Sequence, residues 1–292
     1  MVNGFGKEWM FFSRGGRFIG LVIALFAVAL SNPLMFYMLK AMFASMPDIG
    51  EAGGESFAAV TEMMNAISAP LMTTMSVEYV SGIGSIVSLF IFFGSAGGEQ
   101  QKRSVIIPQC SGLTPAMYVM PKFIVYPAVM FTVSFLSVLA AGGASVMLFG
   151  GSLSFDMLCL SALCTALYNA FITVVQFTVG LCTGGPRLAV VSVILAEMII
   201  PSLLSLFGVS KFNPFTLATI AESSAYKAGA ASAEDASVFG LAGDAFTGYD
   251  TGFLNVSVSI GTAVVISVLL VFLTVFVLSA KQIKNEGSEP ML

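Results

Sequence analysis

Six stretches of this chain are apolar for long enough to cross a lipid bilayer, and nothing else in it constrains the fold as strongly. A helical crossing needs about 20 mostly apolar residues, because each residue rises about 1.5 Å and the hydrocarbon layer is about 30 Å thick. The stretches run from Phe18 to Phe43, Val77 to Gly98, Phe123 to Phe149, Met157 to Thr183, Leu188 to Gly208 and Phe253 to Ala280. In hydrocarbon, backbone polar groups must be satisfied internally, which favours helices. The expectation is an all-α polytopic membrane protein whose residues 1–292 form a single transmembrane domain.

Charge gives the expected orientation. Of the twelve Lys and Arg residues, Lys7, Arg14, Arg17, Lys102, Arg103, Lys122, Arg187, Lys281 and Lys284 fall where six crossings put one face. Lys40, Lys211 and Lys227 are the others. Basic residues near span ends are retained in the cytoplasm, so both termini are expected inside. Asp48, Glu51, Glu55, Glu62, Asp156, Glu222, Glu234, Asp235, Asp244 and Asp250 fall on the opposite face. The net charge of −4 therefore hides an asymmetry, and no nucleic-acid partner is expected. The first apolar run continues past Asn32-Pro33 into Leu34-Met35-Phe36-Tyr37 without a small-residue cleavage pattern, so it reads as a span, kinked at the proline, rather than a signal peptide.

Composition excludes several chemistries. The chain has no histidine, which removes His-based metal sites, Ser-His and Cys-His nucleophile pairs and the usual proton shuttle. No G-x-x-x-x-G-K-[ST] phosphate loop occurs. The chain is therefore expected to have no catalytic residues, to bind no metal or other cofactor and to be no enzyme. Cys159, Cys164 and Cys182 fall inside the fourth stretch and Cys110 in a cytoplasmic connection, a distribution that argues against a disulfide framework.

The segments between the spans carry their own signals. Residues 1–17 mix Trp9, Phe11 and Phe12 with Lys7, Arg14 and Arg17, the pattern of an amphipathic helix in the membrane interface. Residues 44–76 and 209–252 are the two long external loops, with helix formers over Phe57–Ile67 and Ala218–Ala236. The tight connections Gly150–Asp156 and Gly184–Arg187 make the helices they join antiparallel neighbours. Residues 99–122 form the long cytoplasmic connection. Thr114-Pro115 within it is a helix start, threonine capping and proline at the first helical position, so a short helix is expected to project from there.

With these features the chain resembles the permease subunit of type-2 ABC exporters: a cationic amphipathic lead, six spans with both ends inside, and a second-to-third-span loop. In that family the loop reads Glu…Gly-Thr…Leu-x-x-x-Pro…Gly-Lys. Here Glu99, Leu113, Pro115 and Lys122 match, whereas Arg103-Ser104 stands for Gly-Thr and Met120-Pro121 precedes the lysine. The resemblance implies the type-2 ABC exporter fold, with the lead as an elbow helix and the loop as a coupling helix. Glu99, Lys102, Arg103, Leu113, Thr114, Pro115, Tyr118 and Lys122 would contact a separate ATPase that carries ATP and Mg. It also implies a second membrane subunit, identical or related, contact with membrane lipids, and residence in a bacterial plasma membrane. Short helices after the fifth span would cap the pathway, near a turn at Asn213-Pro214-Phe215.

Glu197 lies mid-span, where an ionised carboxylate costs about 2.5–3.5 kcal/mol on insertion scales. Thr165, Asn169, Thr173, Gln176 and Gly180 share one helical face, and Asn169 and Thr173, near the depth of Glu197, are its expected partners. Ser81, Ser85, Ser88 and Ser95, and Ser192, Ser202 and Ser205, form small-residue stripes suited to close helix approach. Ser85, Ser88, Asn169, Thr173, Gln176, Glu197 and Ser202 are thus candidates for a substrate pathway, or for interhelical hydrogen bonding alone. Walls of Phe, Met, Leu and Ser suit lipid, peptide or amphipathic drug substrates. The alternative function is a secondary transporter or channel in which Glu197 binds a proton or cation.

Overall fold

The computed structural model of the chain describes residues 2–45, 67–98, 114–206, 213–229 and 252–286, which are helical apart from short connections. The helices are α1 (Val2–Arg14), α2 (Arg17–Ala44), α3 (Ala69–Ser81), α4 (Ile83–Ile91), α5 (Pro115–Phe149), α6 (Phe155–Thr183), α7 (Pro186–Leu206), α8 (Thr216–Lys227) and α9 (Phe253–Glu286). Six helical segments among them are long and apolar enough to cross a membrane, α3 and α4 counting together as Ala69–Ile91.

The helix α6 is the centre of the bundle. Of its most apolar window 67% is buried, against 17% for α7 and 11% for α9. It packs on α5, α7, α8 and α9, and the short links at residues 150–154 and 184–185 make α5, α6 and α7 successive neighbours, as expected. Gly142 on α5 leaves room for Leu158 on α6: a Cβ there would come 2.7 Å from the leucine Cδ1.

The second span departs from its expected bounds. It begins at Ala69 rather than Val77, so residues 69–76 of the expected loop are helix, and it breaks at Gly82 before ending at Ile91. Thr73, Thr74 and Ser76 donate to the carbonyls of Ala69, Pro70 and Met72 at 2.8–2.9 Å. Each hydroxyl is satisfied within its own helix, which makes this polar stretch compatible with an apolar surrounding.

The expected short helix at Pro115 is the start of α5. Thr114 caps it, accepting from the Met117 N–H at 3.4 Å, but the helix runs on for 35 residues through Pro121 and Pro127. At 1.5 Å per residue it is about 52 Å long, well over the roughly 30 Å of a hydrocarbon layer. Helix α2 likewise continues through Pro33. Asn213 forms the expected turn, its Oδ1 accepting from the Phe215 N–H at 3.0 Å. The twelve-residue α8 that follows is buried against α3 and α6. Residues 57–66 and 230–236 of the two expected loop helices lie outside the described residues.

Candidate functional site

Two polar assemblies contain most of the described candidate residues. The first joins α1 to α5. In α1, Gly4, Glu8 and Phe12 recur every four residues and so share one face. That face is turned inward: Gly4 approaches Pro121, and Glu8 and Phe12 are buried. Glu8 Oε1 lies 3.0 Å from Lys122 Nζ, with both side chains almost completely enclosed. Glu8 Oε2 accepts from the Tyr126 hydroxyl at 3.1 Å, and the Tyr118 ring faces the ammonium at 5.2 Å. An aromatic knot closes around them, in which Tyr126 stacks on Phe177 at 4.8 Å and meets Phe12 and Phe92 edge-on at 5.5 and 5.3 Å. Lys122 is therefore enclosed by α1 rather than presented at a surface.

Lys7 and Arg14 are exposed, and Trp9 keeps 47% of its surface exposed. Arg17 opens α2, donates to Ser95 Oγ at 2.9 Å and covers the Phe11 ring at 4.8 Å. Beside Ser95 the chain crosses α6 at backbone contact. Gly97 has φ +101°, and a Cβ on Gly180 or Gly97 would overlap the backbone of the opposing segment. At the same end of α6, Lys281 of α9 donates to the Cys182 carbonyl at 2.5 Å.

The second assembly is the polar face of α6. Asn169 Nδ2 donates to Ser134 Oγ at 3.0 Å and to the Val80 carbonyl at 3.3 Å, joining α5 and the last turn of α3. Gln176 Nε2 donates to the Leu89 carbonyl at 2.7 Å. That carbonyl belongs to the last turn of α4, where intrahelical donors run out, so the amide acts as a cap. Thr165, Thr173 and Ser88 are buried and bond carbonyls of their own helices, and Ser85, also buried, bonds the Gly82 carbonyl at the break before α4.

Glu197 has a different partner from the one expected. Its Oε1 accepts from Tyr168 at 3.1 Å, not from Asn169 or Thr173. The neighbouring helix is the right one, but successive residues diverge by about 100° around it, and the Asn169 face is already occupied by α3 and α5. Ser202 is exposed and bonds the Met198 carbonyl at 3.4 Å.

Glu8, Tyr126, Ser134 and Tyr168 are site residues that sequence reasoning does not single out. The four-residue spacing of Gly4, Glu8 and Phe12, with one acid in a basic lead, is the available signal for the first. Glu99, Lys102, Arg103 and Leu113 lie outside the described residues, as does Cys110, while Cys159, Cys164 and Cys182 are free thiols. Among the described residues no His, Cys, Asp or Glu group is arranged to hold a metal ion.

Neither a family model nor a characterised protein nor a solved structure matches the chain. The fold of the described residues defines the class: a helical protein with six segments among them fit to cross a membrane.

Proposed function

We propose that the chain is the membrane-spanning permease subunit of a type-2 ABC exporter, moving a lipid, peptide or amphipathic drug with ATP hydrolysed by a separate subunit. The observation that carries this reading is the buried Glu8–Lys122 pair. It ties an amphipathic N-terminal helix to the first turns of α5, directly after the 99–122 connection. Force applied to that connection by a closing pair of ATPases would move α1 and α5 as one piece. The buried α8 after the fifth candidate span suits a cap on the far side.

In this reading both termini and residues 99–122 are cytoplasmic, the membrane is a bacterial plasma membrane, and a second membrane subunit completes the pathway. Glu99, Lys102, Arg103, Leu113, Thr114 and Pro115 would face the ATPase, with the buried Tyr118 and Lys122 acting from behind them through Glu8.

The test is co-purification followed by coupling. The full chain, isolated under mild conditions, brings down a protein with a phosphate loop. Glycine at Thr114, Pro115 and Tyr118 abolishes the stimulated ATPase turnover of the complex while leaving the isolated ATPase unchanged. Turnover untouched by that triple variant, or a chain end labelled from outside the cell, refutes the assignment.

A further inference from the structure

Helix α8 doubles back into the bundle. Phe215, at its start, meets Phe171 and Tyr168 near the middle of α6, with ring centroids 5.8 and 6.3 Å apart. At its far end the Ala228 carbonyl accepts from the Ser154 N–H, just before α6 begins, and between these points the Ser161 hydroxyl donates to the Ala221 carbonyl at 2.7 Å. The helix therefore lies antiparallel along the first half of α6. It also lies against α3, so closely that a Cβ on Gly229 would come 1.9 Å from Pro70 Cγ, and Thr216 meets Ser259 of α9 at 3.3 Å.

The face that α8 buries is only partly apolar. Leu217, Ile220, Ala221 and Ala225 share it with Thr216, Ser223 and Ser224. The Thr216 and Ser224 hydroxyls donate to the Asn213 and Ile220 carbonyls of their own segment, so those bonds travel with the helix if it leaves its seat. Glu222 is the group that the seat treats differently. It lies seven residues before Gly229, and Glu78 lies eight after Pro70. Because α3 runs alongside α6, with Val80 and Leu89 bonded to Asn169 and Gln176 in that order, α8 is antiparallel to α3 as well and the two acids come level.

The groups around Glu222 do not compensate its charge. From α6 the Tyr168 hydroxyl acts on it, already bonded to Glu197 of α7 at 3.1 Å; Cys159 and Cys164 are the thiols on that half of α6, and Asp156 is exposed at its start. From α3 the facing group is Glu78. Helix α9 has no ionisable side chain between Phe253 and Ala280. Lys227 of α8 itself is exposed and about 140° round the helix from Glu222. Burial first, and the charge of Glu78 second, raise the Glu222 carboxyl from 4.5 to about 7. The docked helix thus holds that proton more tightly than a released one, so docking is strongest below about pH 4.5 and is lost as pH rises through 7.

We propose that α8 is a proton-operated latch: with Glu222 neutral the helix is seated between α3 and α6, and ionisation of Glu222 beside Glu78 releases it while the rest of the bundle stays folded. The inference needs only the seat of α8 and does not rest on the exporter reading.

Hydrogen exchange of the full chain in mixed micelles, read by mass spectrometry and corrected for the intrinsic rate at each pH, tests the latch segment by segment. With 4.5 for the released carboxyl and about 7 for the docked one, linkage weakens docking about 70-fold between pH 5 and 8. The amides of α8 are expected to lose about that much protection and to exchange ahead of the buried amides of α6 throughout. Glu222→Gln keeps α8 protected at both pH values. Glu78→Gln, at an exposed position, shrinks the change and moves its midpoint to lower pH.

An α8 whose protection is the same at pH 5 and 8 overturns the proposal, as does a change that survives Glu222→Gln, or an α8 that exchanges in step with α6 as one cooperative unit. Should Glu222→Gln fail to fold, an unshifted midpoint in Glu78→Gln overturns it equally. Loss of ATPase co-purification with the latch intact refutes the exporter assignment alone.

Discussion

Replacing Lys122 by methionine tests whether α1 is held by a buried charge pair. Both side chains are nearly inaccessible and the atoms lie 3.0 Å apart, so neither charge has water to fall back on. At that distance the bare Coulomb attraction is about 5.5 kcal/mol for an effective dielectric constant near 20, most of it offset by the desolvation of both ions. Removing one partner strands the other, which costs about 3–5 kcal/mol. Glu8→Gln is expected to cost a similar amount, since it keeps an acceptor for Tyr126 but takes the carboxylate away from the ammonium. The double variant Glu8→Gln/Lys122→Met carries no stranded charge and keeps the tyrosine bond, so it should lie within about 2 kcal/mol of wild type. The coupling between the two sites is then at least about 4 kcal/mol. Equilibrium unfolding of the full chain in mixed micelles measures it, with Trp9 emission reporting the release of α1 and circular dichroism the loss of the bundle. If the double variant costs the sum of the singles, or each single costs under about 1 kcal/mol, the pair does not hold the helix.

Three further outcomes follow from other contacts. Gly180→Ala puts a Cβ into the backbone of Ala96, where no side chain can swing away, and is expected to cost about 3 kcal/mol; Gly143→Ala, with open space around it, should cost nothing in the same unfolding assay. Gln176→Leu uncaps the end of α4 and should cost about 1–2 kcal/mol, more than the roughly 0.6 kcal/mol of an average interhelical bond, whereas Ser202→Ala stays neutral. Glu222 on α8 has its pKa raised from the ordinary 4.5 to about 7, by burial first and by the charge of Glu78 second. The folded state thus holds that proton more tightly than the unfolded chain, so the stabilisation is complete below about pH 4.5 and is lost as pH rises through 7. At about 1.4 kcal/mol per tenfold change in proton binding, the loss approaches about 3.5 kcal/mol, and Glu222→Gln should flatten thermal stability between pH 5 and 8; an unchanged slope assigns the titration elsewhere.

The helix positions were legible where apolar runs are long and uninterrupted, as in α5, α6 and α9. The start of α3 was not, because Thr73, Thr74, Ser76 and Glu78 lower its hydropathy. A sequence shows the hydroxyls but not that each is consumed by the carbonyl four residues back. Its far end misled in the opposite sense. Phe92, Phe93 and Ala96 read as span, yet Gly97 needs a positive φ to pass Gly180, and that contact between segments 83 residues apart has no local signature. The Glu8–Lys122 pair is likewise non-local. The position of Glu197 midway along its helix was readable, since it depends only on place along a run; its partner depends on helix rotation, which a single-sequence pattern leaves open between Tyr168 and Asn169.

The distribution of hydrogen bonds narrows where a substrate could pass if the permease reading holds. Asn169 and Gln176 spend their amide hydrogens on α3, α4 and α5, and the Ser88 hydroxyl is spent on its own helix. That face of α6 is a seam between packed helices, and opening it would leave main-chain carbonyls without donors in a low-dielectric interior, at about 1–3 kcal/mol each. The helix α7 is in the opposite condition. Little of it is buried, its Ser202 is exposed, and Glu197 reaches back to Tyr168 from a partly open position. A route along α7, closed by the second membrane subunit, requires no broken seam. Glu197→Gln separates the two roles: a route residue changes transport while the unfolding free energy moves by less than about 1 kcal/mol, and a purely structural one does the reverse.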